Sequence, residues 1–228
     1  MFKELLSVFR GSDPLRAMGD HFSQMLTLTY EMTNAAGEMF FTGAASPQER
    51  SDLYNRDVRV NQLERLIRKQ VVAHLSLPGN RADVPYSLLL IGLVKDIERI
   101  GDYAKNVAEI NDLRSGPLED DDIVLELREI RRDVENSFET LSVVFGKSDR
   151  ERAVELIRKG RDTAHRCDML ISRISASSYN ASTATALALG TRYYKRIGGH
   201  VLNVLSSIVM PIHKVDYYDE DDIPEIKG

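Results

Sequence analysis

Apolar residues recur at three- and four-residue spacing along almost the whole chain, and no window alternates between apolar and polar residues. The first pattern is typical of amphipathic helices, whereas the second would indicate strands. With 228 residues and 43% hydrophobic content, the chain can bury one large core or two small ones. We therefore predict an all-α fold.

Residues that favour turns divide this pattern into six helical segments. Asp13-Pro14 marks the start of the first helix, and breaks follow at 43–47, 77–80, 115–117, 146–148 and 175–182. The strongest break, 115–117, lies near the middle and leaves three helices on either side. The segments 46–49 and 148–151 both read Ser-x-x-Glu, the form of a capping box, which predicts the starts of the second and fifth helices.

An internal repeat relates the two halves. Residues 98–110 align with 195–208, sharing Arg-Ile-Gly and an Asn-Val pair five residues beyond the glycine. Residues 56–68 align more weakly with 161–173. We predict two tandem antiparallel three-helix bundles, 1–115 and 116–215, followed by an acidic tail at 216–228.

The charge of the chain is concentrated in that tail. Residues 216–228 hold six acids and one lysine, which accounts for the whole net charge of −5 and leaves a neutral body. We interpret the tail as a solubilising, disordered end, with a docking segment as the alternative. A neutral body argues against a nucleic-acid binder, which would present a large basic surface. The main group of arginines, at 128–132 and 150–158, is interleaved with glutamates and so does not form such a surface.

Compartment is indicated by the cysteine count and by the apolar runs. Cys167 has no second cysteine to pair with, which favours a reducing compartment. The longest apolar stretches, 87–94 and 204–212, fall short of the roughly 20 residues that cross a bilayer. Charges within 1–14 interrupt any run of signal-peptide length. We predict a cytoplasmic protein with at most peripheral membrane contact.

Four oxygen-bearing side chains stand at helical spacing in the first half. Glu98 and Asp102 are four residues apart and share a helix face, and Asp57 and Asn61 have the same spacing on the second helix. Antiparallel packing of the two helices could bring the four together as a site for a divalent or iron-type metal ion. The alternative is a set of solvated ion pairs with the neighbouring basic residues Arg56, Lys95, Arg99 and Lys105.

The second repeat lacks most of these carboxylates. Lys195, Gly199 and Arg166 stand where the first repeat has Glu98, Asp102 and Asn61. Only Asp162 keeps its carboxylate, so we expect no metal there and expect Lys195 and Arg166 to neutralise Asp162. A weaker alternative is a transition-metal site formed by Asp162, His165 and His200.

The repeated motif carries a family resemblance. Glu98-Arg-Ile-Gly-Asp102 followed by Asn106, and Arg196-Ile-Gly followed by His200 and Asn203, resemble the twice-repeated signature of PhoU proteins, and the similarity extends over about 13–210. The resemblance implies two three-helix bundles and negative regulation of phosphate uptake and phosphate-starvation signalling. It implies a phosphate transporter complex and a sensor histidine kinase at the membrane as partners.

The same resemblance implies multinuclear metal sites formed by E/D-x-x-x-D motifs. Glu98 and Asp102 match that motif fully, while Asp57 is followed by Asn61 in the second acidic place. The second repeat departs from the motif, which puts a second metal cluster in doubt.

A helical adaptor that is not an enzyme is the function the sequence favours. It has no Gly-rich phosphate loop, no Ser-His-Asp candidate set and no cluster of Cys and His. The alternative is a carboxylate-rich metal-binding protein or a metal-dependent enzyme using the first-bundle acids. A nucleic-acid-binding helical protein ranks third, and a homodimer is left open.

Overall fold

Six long helices make up most of the chain. A computed structural model describes residues 13–114 and 116–216. Its helices are α1 (Asp13–Thr42), α2 (Pro47–Leu75), α3 (Val84–Glu109), α4 (Asp122–Lys147), α5 (Arg150–Ser175) and α6 (Ala181–Val209). Short 3-10 turns lie at Asn80–Asp83, Ile110–Leu113 and Ile212–Lys214. No strand occurs in these two described ranges, so the predicted all-α class is confirmed.

The predicted capping box at the start of α2 is confirmed. The Glu49 backbone N–H donates to Ser46 Oγ at 3.2 Å, and the Ser46 backbone N–H donates to Glu49 Oε2 at 2.7 Å. The two reciprocal bonds satisfy N–H groups that have no partner inside the helix. They determine where α2 begins.

The capping box predicted at 148–151 is wrong. The residue that caps α5 is Asp149, whose carboxylate accepts the Arg152 backbone N–H at 3.0 Å. Ser148 instead ends α4 in the left-handed conformation, with φ at 55°. Because only two residues join α4 to α5, Ser148 is used to terminate the first helix and the next residue has to cap the second.

The helices pack as two groups of three that share one hydrophobic core. Helices α1, α2 and α3 contact one another, as do α4, α5 and α6, and α3 packs on α6 while α1 packs on α4. Aromatic pairs cross this junction, with the Phe22 and Phe145 ring centroids 5.3 Å apart and those of Tyr30 and Phe138 5.6 Å apart. The two bundles are therefore joined through buried side chains as well as by the chain.

Parts of the predicted domain layout fall beyond the described residues. Residues 1–12, residue 115 at the predicted boundary and 217–228 of the predicted acidic tail lie outside them. The division at 115 and the role of the tail stay predictions. Within the described residues, none of the helices combines the length and apolar character needed to cross a membrane.

Candidate functional site

Polar contacts follow the seam between α2 and α3, where all four predicted ligand residues lie. Arg50 pairs with Asp112 at 2.9 Å, the Tyr54 hydroxyl donates to Glu109 at 2.7 Å, and Lys105 donates to Asp57 at 3.1 Å. The seven residues forward from Arg50 to Asp57 along α2 are thus matched by seven residues back from Asp112, in the turn after α3, to Lys105. The same antiparallel register places Asn61 level with Asp102, and Glu64 level with Glu98.

Lys105 occupies the space between two of the predicted ligands. Its Nζ lies 3.1 Å from Asp57 Oδ2 and 3.5 Å from Asp102 Oδ1. Asn61 Nδ2 donates to the same Asp57 oxygen at 3.4 Å. Partial burial opposes the charged form of Lys105, but the hydrogen bonds and charges of Asp57 and Asp102 outweigh it and raise the pKa. A fixed ammonium therefore links the two helices.

Two further carboxylates of the seam have their own cations. Glu98 Oε2 lies 2.6 Å from Lys95 Nζ, and the Glu98 side chain is only 12% exposed. Glu64, whose side chain is 10% exposed, pairs with Arg68 at 2.8 Å. Charges in such partly covered positions are paired to offset their loss of hydration. These two carboxylates, like Asp57 and Asp102, are therefore balanced in charge by a neighbouring lysine or arginine.

The arrangement bears directly on metal binding. In the described ranges no group of three or more His, Cys, Asp and Glu side chains is placed to hold a metal ion. The ammonium of Lys105 lies where a cation shared by Asp57 and Asp102 would bind. A metal ion does not fit the seam with Lys105 in this position, and the predicted ligand set of Asp57, Asn61, Glu98 and Asp102 stays a prediction.

Sequence reasoning missed the central role of Lys105. It treated the lysine as one of several basic neighbours, although Lys105 is three residues beyond Asp102 and therefore on the same helix face. That spacing was a usable signal. Its contact with Asp57, by contrast, depends on the register of α2 against α3, which the sequence does not contain locally.

The second repeat has a different set of ion pairs from the one predicted. Lys195 holds Asp168, with Nζ 2.5 and 2.6 Å from the two carboxylate oxygens. Arg166 reaches across to α4, where Glu126 and Asp133 accept at 2.7 Å each. The prediction that Lys195 and Arg166 neutralise Asp162 is wrong, because Asp162 lies on the exposed face of α5.

The alternative transition-metal trio does not assemble either. His200 Nδ1 lies 2.8 Å from Asp96 Oδ1, the same oxygen that accepts the Asn203 amide at 2.7 Å. His165 and His200 both line a groove among α4, α5 and α6, whereas Asp162 is not part of its lining. His200 is thus used in a bond between α3 and α6.

Comparison with known proteins finds others that share this architecture. The family model of the PhoU domain matches residues 22–110, which include most of α1 and all of α2 and α3. The crystal structure of the phosphate transport system regulatory protein PhoU from Streptococcus pneumoniae superposes with a TM-score of 0.75 at 16% identity, covering 92% of this chain and 95% of that one. PhoU from Pseudomonas aeruginosa gives 0.75 at 20% identity, covering 86% and 95%. No curated protein matches the chain in sequence.

Fold and seam define a tandem helical-bundle protein whose first bundle has a hydrophobic core and a row of charged contacts between α2 and α3. The match to the PhoU domain model, over residues 22–110, falls on this first bundle. The PhoU fold extends over most of the chain. The resemblance based on the Glu98-Arg-Ile-Gly-Asp102 motif and its second copy is confirmed.

Proposed function

We propose that the protein is a negative regulator of phosphate uptake and of phosphate-starvation signalling. The observation that carries the proposal is the PhoU domain at 22–110, with its signature motif on α3. The fold of a phosphate transport system regulatory protein over 92% of the chain supports it further.

The mode of action we propose is binding rather than catalysis. In this proposal the protein is a cytoplasmic adaptor, peripheral to the membrane, that contacts a phosphate transporter complex and a sensor histidine kinase. An adaptor needs surfaces presented by a stable body, and long helices packed on one continuous core supply such a body. Self-association into a homodimer is left open.

Regulation is tested in cells. A strain lacking the gene is grown in phosphate-rich medium, and its uptake of labelled phosphate and a phosphate-starvation reporter are measured. We expect over-accumulation and constitutive reporter expression, both reversed by the wild-type gene on a plasmid. Unchanged uptake together with an unchanged reporter, in a strain without a paralogue, would contradict the proposal.

The adaptor role needs a separate experiment. Tagged protein is purified from membranes of phosphate-replete and phosphate-starved cells, with a tagged helical bundle of similar size and charge as the control. We expect transporter subunits or a sensor kinase to co-purify with the protein and not with the control. Recovery of neither partner in either condition would remove the adaptor role while leaving regulation to be judged by uptake.

A metal-binding role at the seam is the second candidate. The observation that favours it is that Asp57 of α2 and Asp102 of α3 both lie within 3.5 Å of Lys105 Nζ, so that oxygen donors from two helices face the same cation. We propose that a divalent or iron-type ion binds there only by displacing Lys105 from Asp57 and Asp102. Binding would then be in competition with an internal cation.

A further inference from the structure

A groove in the second bundle is lined by more basic than acidic side chains, unlike the charge-balanced seam in the first bundle. It lies among α4, α5 and α6 and has a volume of about 520 Å³. Glycines 160, 198 and 199 form part of its wall. A Cβ at Gly160 would lie 2.5 Å from Leu202, so this glycine allows α5 and α6 to pack closely beside the groove. The volume falls within the range of about 300–1,000 Å³ that is usual for small-ligand pockets.

Basic side chains from two packed helices line the groove. Helix α5 contributes Arg161 and His165, which are four residues apart, and α6 contributes Arg192, Lys195, Arg196 and His200. Residues three and four apart share a helix face, so each helix presents a basic row to the same space. The lining contains four lysines and arginines against two aspartates, Asp133 and Asp168, in a chain whose net charge is −5.

The two aspartates of the lining are already paired. Asp133 accepts from Arg166 at 2.7 Å and from Lys159 at 2.8 Å, and neither of these cations lines the groove. Asp168 is held by Lys195. The exposed guanidinium groups of Arg192 and Arg196 have no carboxylate partner in the two described ranges, so the groove keeps an excess of positive charge.

Alignment of the two repeats shows at which positions their charges differ. Lys195 stands where the first repeat has Glu98, and His200 stands where it has Tyr103. The seam in the first bundle is lined by carboxylates with their own cations, whereas the corresponding helices of the second bundle present arginine, lysine and histidine. Guanidinium groups suit phosphate oxygens because their planar donors can bind two oxygens at once.

We propose that the groove between α5 and α6 binds a small anion that carries two or more phosphoryl groups. Two basic rows and a volume suited to a small organic molecule fit a chain of phosphates better than a single orthophosphate. Such a chain is found both in inorganic polyphosphate and in nucleoside triphosphates. The binding requires no regulatory role in phosphate transport, so it can be tested on the purified protein alone.

Isothermal titration calorimetry on full-length, metal-free protein tests the proposal, since polyphosphates would otherwise chelate divalent ions. The probes are sodium tripolyphosphate, ATP and orthophosphate at about 0.1 M salt. We expect one site for tripolyphosphate, with an affinity at least tenfold above that for orthophosphate. Equal binding of ATP would assign recognition to the phosphates alone, and tighter binding of ATP would add a contact to the nucleoside. Both outcomes support a phosphoryl-chain site.

The variant Arg192→Gln/Arg196→Gln locates the site. Both side chains are exposed, so the fold should be kept, which circular dichroism and the thermal midpoint verify. We expect tripolyphosphate affinity to fall at least tenfold. The control is Arg158→Gln, an exposed arginine of α5 that does not line the groove, and its affinity should be unchanged.

Three results would overturn the proposal. They are the absence of measurable tripolyphosphate binding, an affinity for orthophosphate equal to that for tripolyphosphate, and an equal loss in the Arg158→Gln control. The last would indicate diffuse attraction to the surface. None of them would bear on regulation of phosphate uptake, which is measured in cells.

Discussion

At the scale of single residues, Lys105 decides what the seam between α2 and α3 can bind. Its ammonium holds Asp57 and Asp102 in place at 3.1 and 3.5 Å. Removing the charge leaves two neighbouring carboxylates whose mutual repulsion is relieved by a cation. We expect Lys105→Met to bind Mn²⁺ or Zn²⁺ more tightly than the wild type, measured by equilibrium dialysis and elemental analysis.

Matched variants separate the seam from general surface charge. Lys159→Met removes a lysine that pairs with Asp133 elsewhere, and it should leave metal retention unchanged. Glu98→Ala/Asp102→Ala should abolish any retention, while Asp162→Ala should not alter it. If Lys105→Met retains no more metal than the wild type at neutral pH, the seam is a set of interhelical ion pairs only.

Cys167 offers a second test at this scale. The side chain is fully buried in α5, and burial raises the pKa of its thiol to about 12. Because the thiolate is the reactive form, the folded protein should react with Ellman's reagent far more slowly than the protein in denaturant. Rapid stoichiometric labelling of the native protein would contradict the buried position.

Asp216 should make stability depend on pH. Although the Asp216 residue as a whole is exposed, partial desolvation of its carboxyl group, followed by the negative charge of Asp96, raises its pKa from 3.8 to about 6. The folded state then holds a proton that the unfolded state has lost, so this contribution to stability is present below pH 4 and is lost as pH rises through 6. We expect Asp216→Asn to gain stability over the wild type at pH 7.5 and little at pH 4.

The measurement is chemical denaturation of both proteins at the two pH values. Asn is also well suited to the left-handed conformation of this residue, with φ at 76°. A gain that is equal at both pH values would therefore reflect the backbone and contradict the titration. Asp162→Asn, at an exposed position, controls for the loss of one acid.

At the scale of helices, the two residues that join α4 to α5 have different roles. Asp149 accepts a backbone N–H, whereas Ser148 Oγ is buried without a hydrogen-bond partner in the described structure. We expect Asp149→Ala to lower the free energy of unfolding by about 1 kcal/mol, and Ser148→Ala to change it by less than about 0.5 kcal/mol. Urea denaturation monitored by circular dichroism measures both, and the reverse order would restore the capping box first predicted at Ser148.

The same junction shows what the sequence could and could not predict. Breaks at Gly43, Pro78 and Gly116 were readable because these residues interrupt helices or favour turns. The spacing of Glu98 and Asp102 correctly placed both on one face of α3. The partners of those acids were not readable, since they depend on interhelical register and on where long lysine and arginine side chains extend. Arg166 is an example, because it pairs with Glu126 and Asp133 of α4 and not with Asp162.

At the scale of the whole molecule, the repeat produced two bundles that share one core. The rings of Phe22 of α1 and Phe145 of α4 contact each other across the junction at a tilt of 44°, and both are nearly excluded from solvent. Gly190 of α6 allows close approach to Phe40 of α1, because a Cβ there would lie 2.6 Å from the Phe40 ring. Contacts of this kind couple the halves, since loosening one bundle exposes apolar surface of the other.

This coupling predicts that the two bundles unfold together. We expect Phe145→Ala to lower the free energy of unfolding by about 3–5 kcal/mol, in a single transition seen alike by circular dichroism and by tyrosine fluorescence. Val143→Ala, two residues away on α4 and 53% exposed, is the control and should change stability by less than about 0.5 kcal/mol. Two separated transitions in the wild type would mean that each bundle is stable alone. A single transition that moves to lower urea concentration in Phe145→Ala would establish that the aromatic junction stabilises both bundles as one unit.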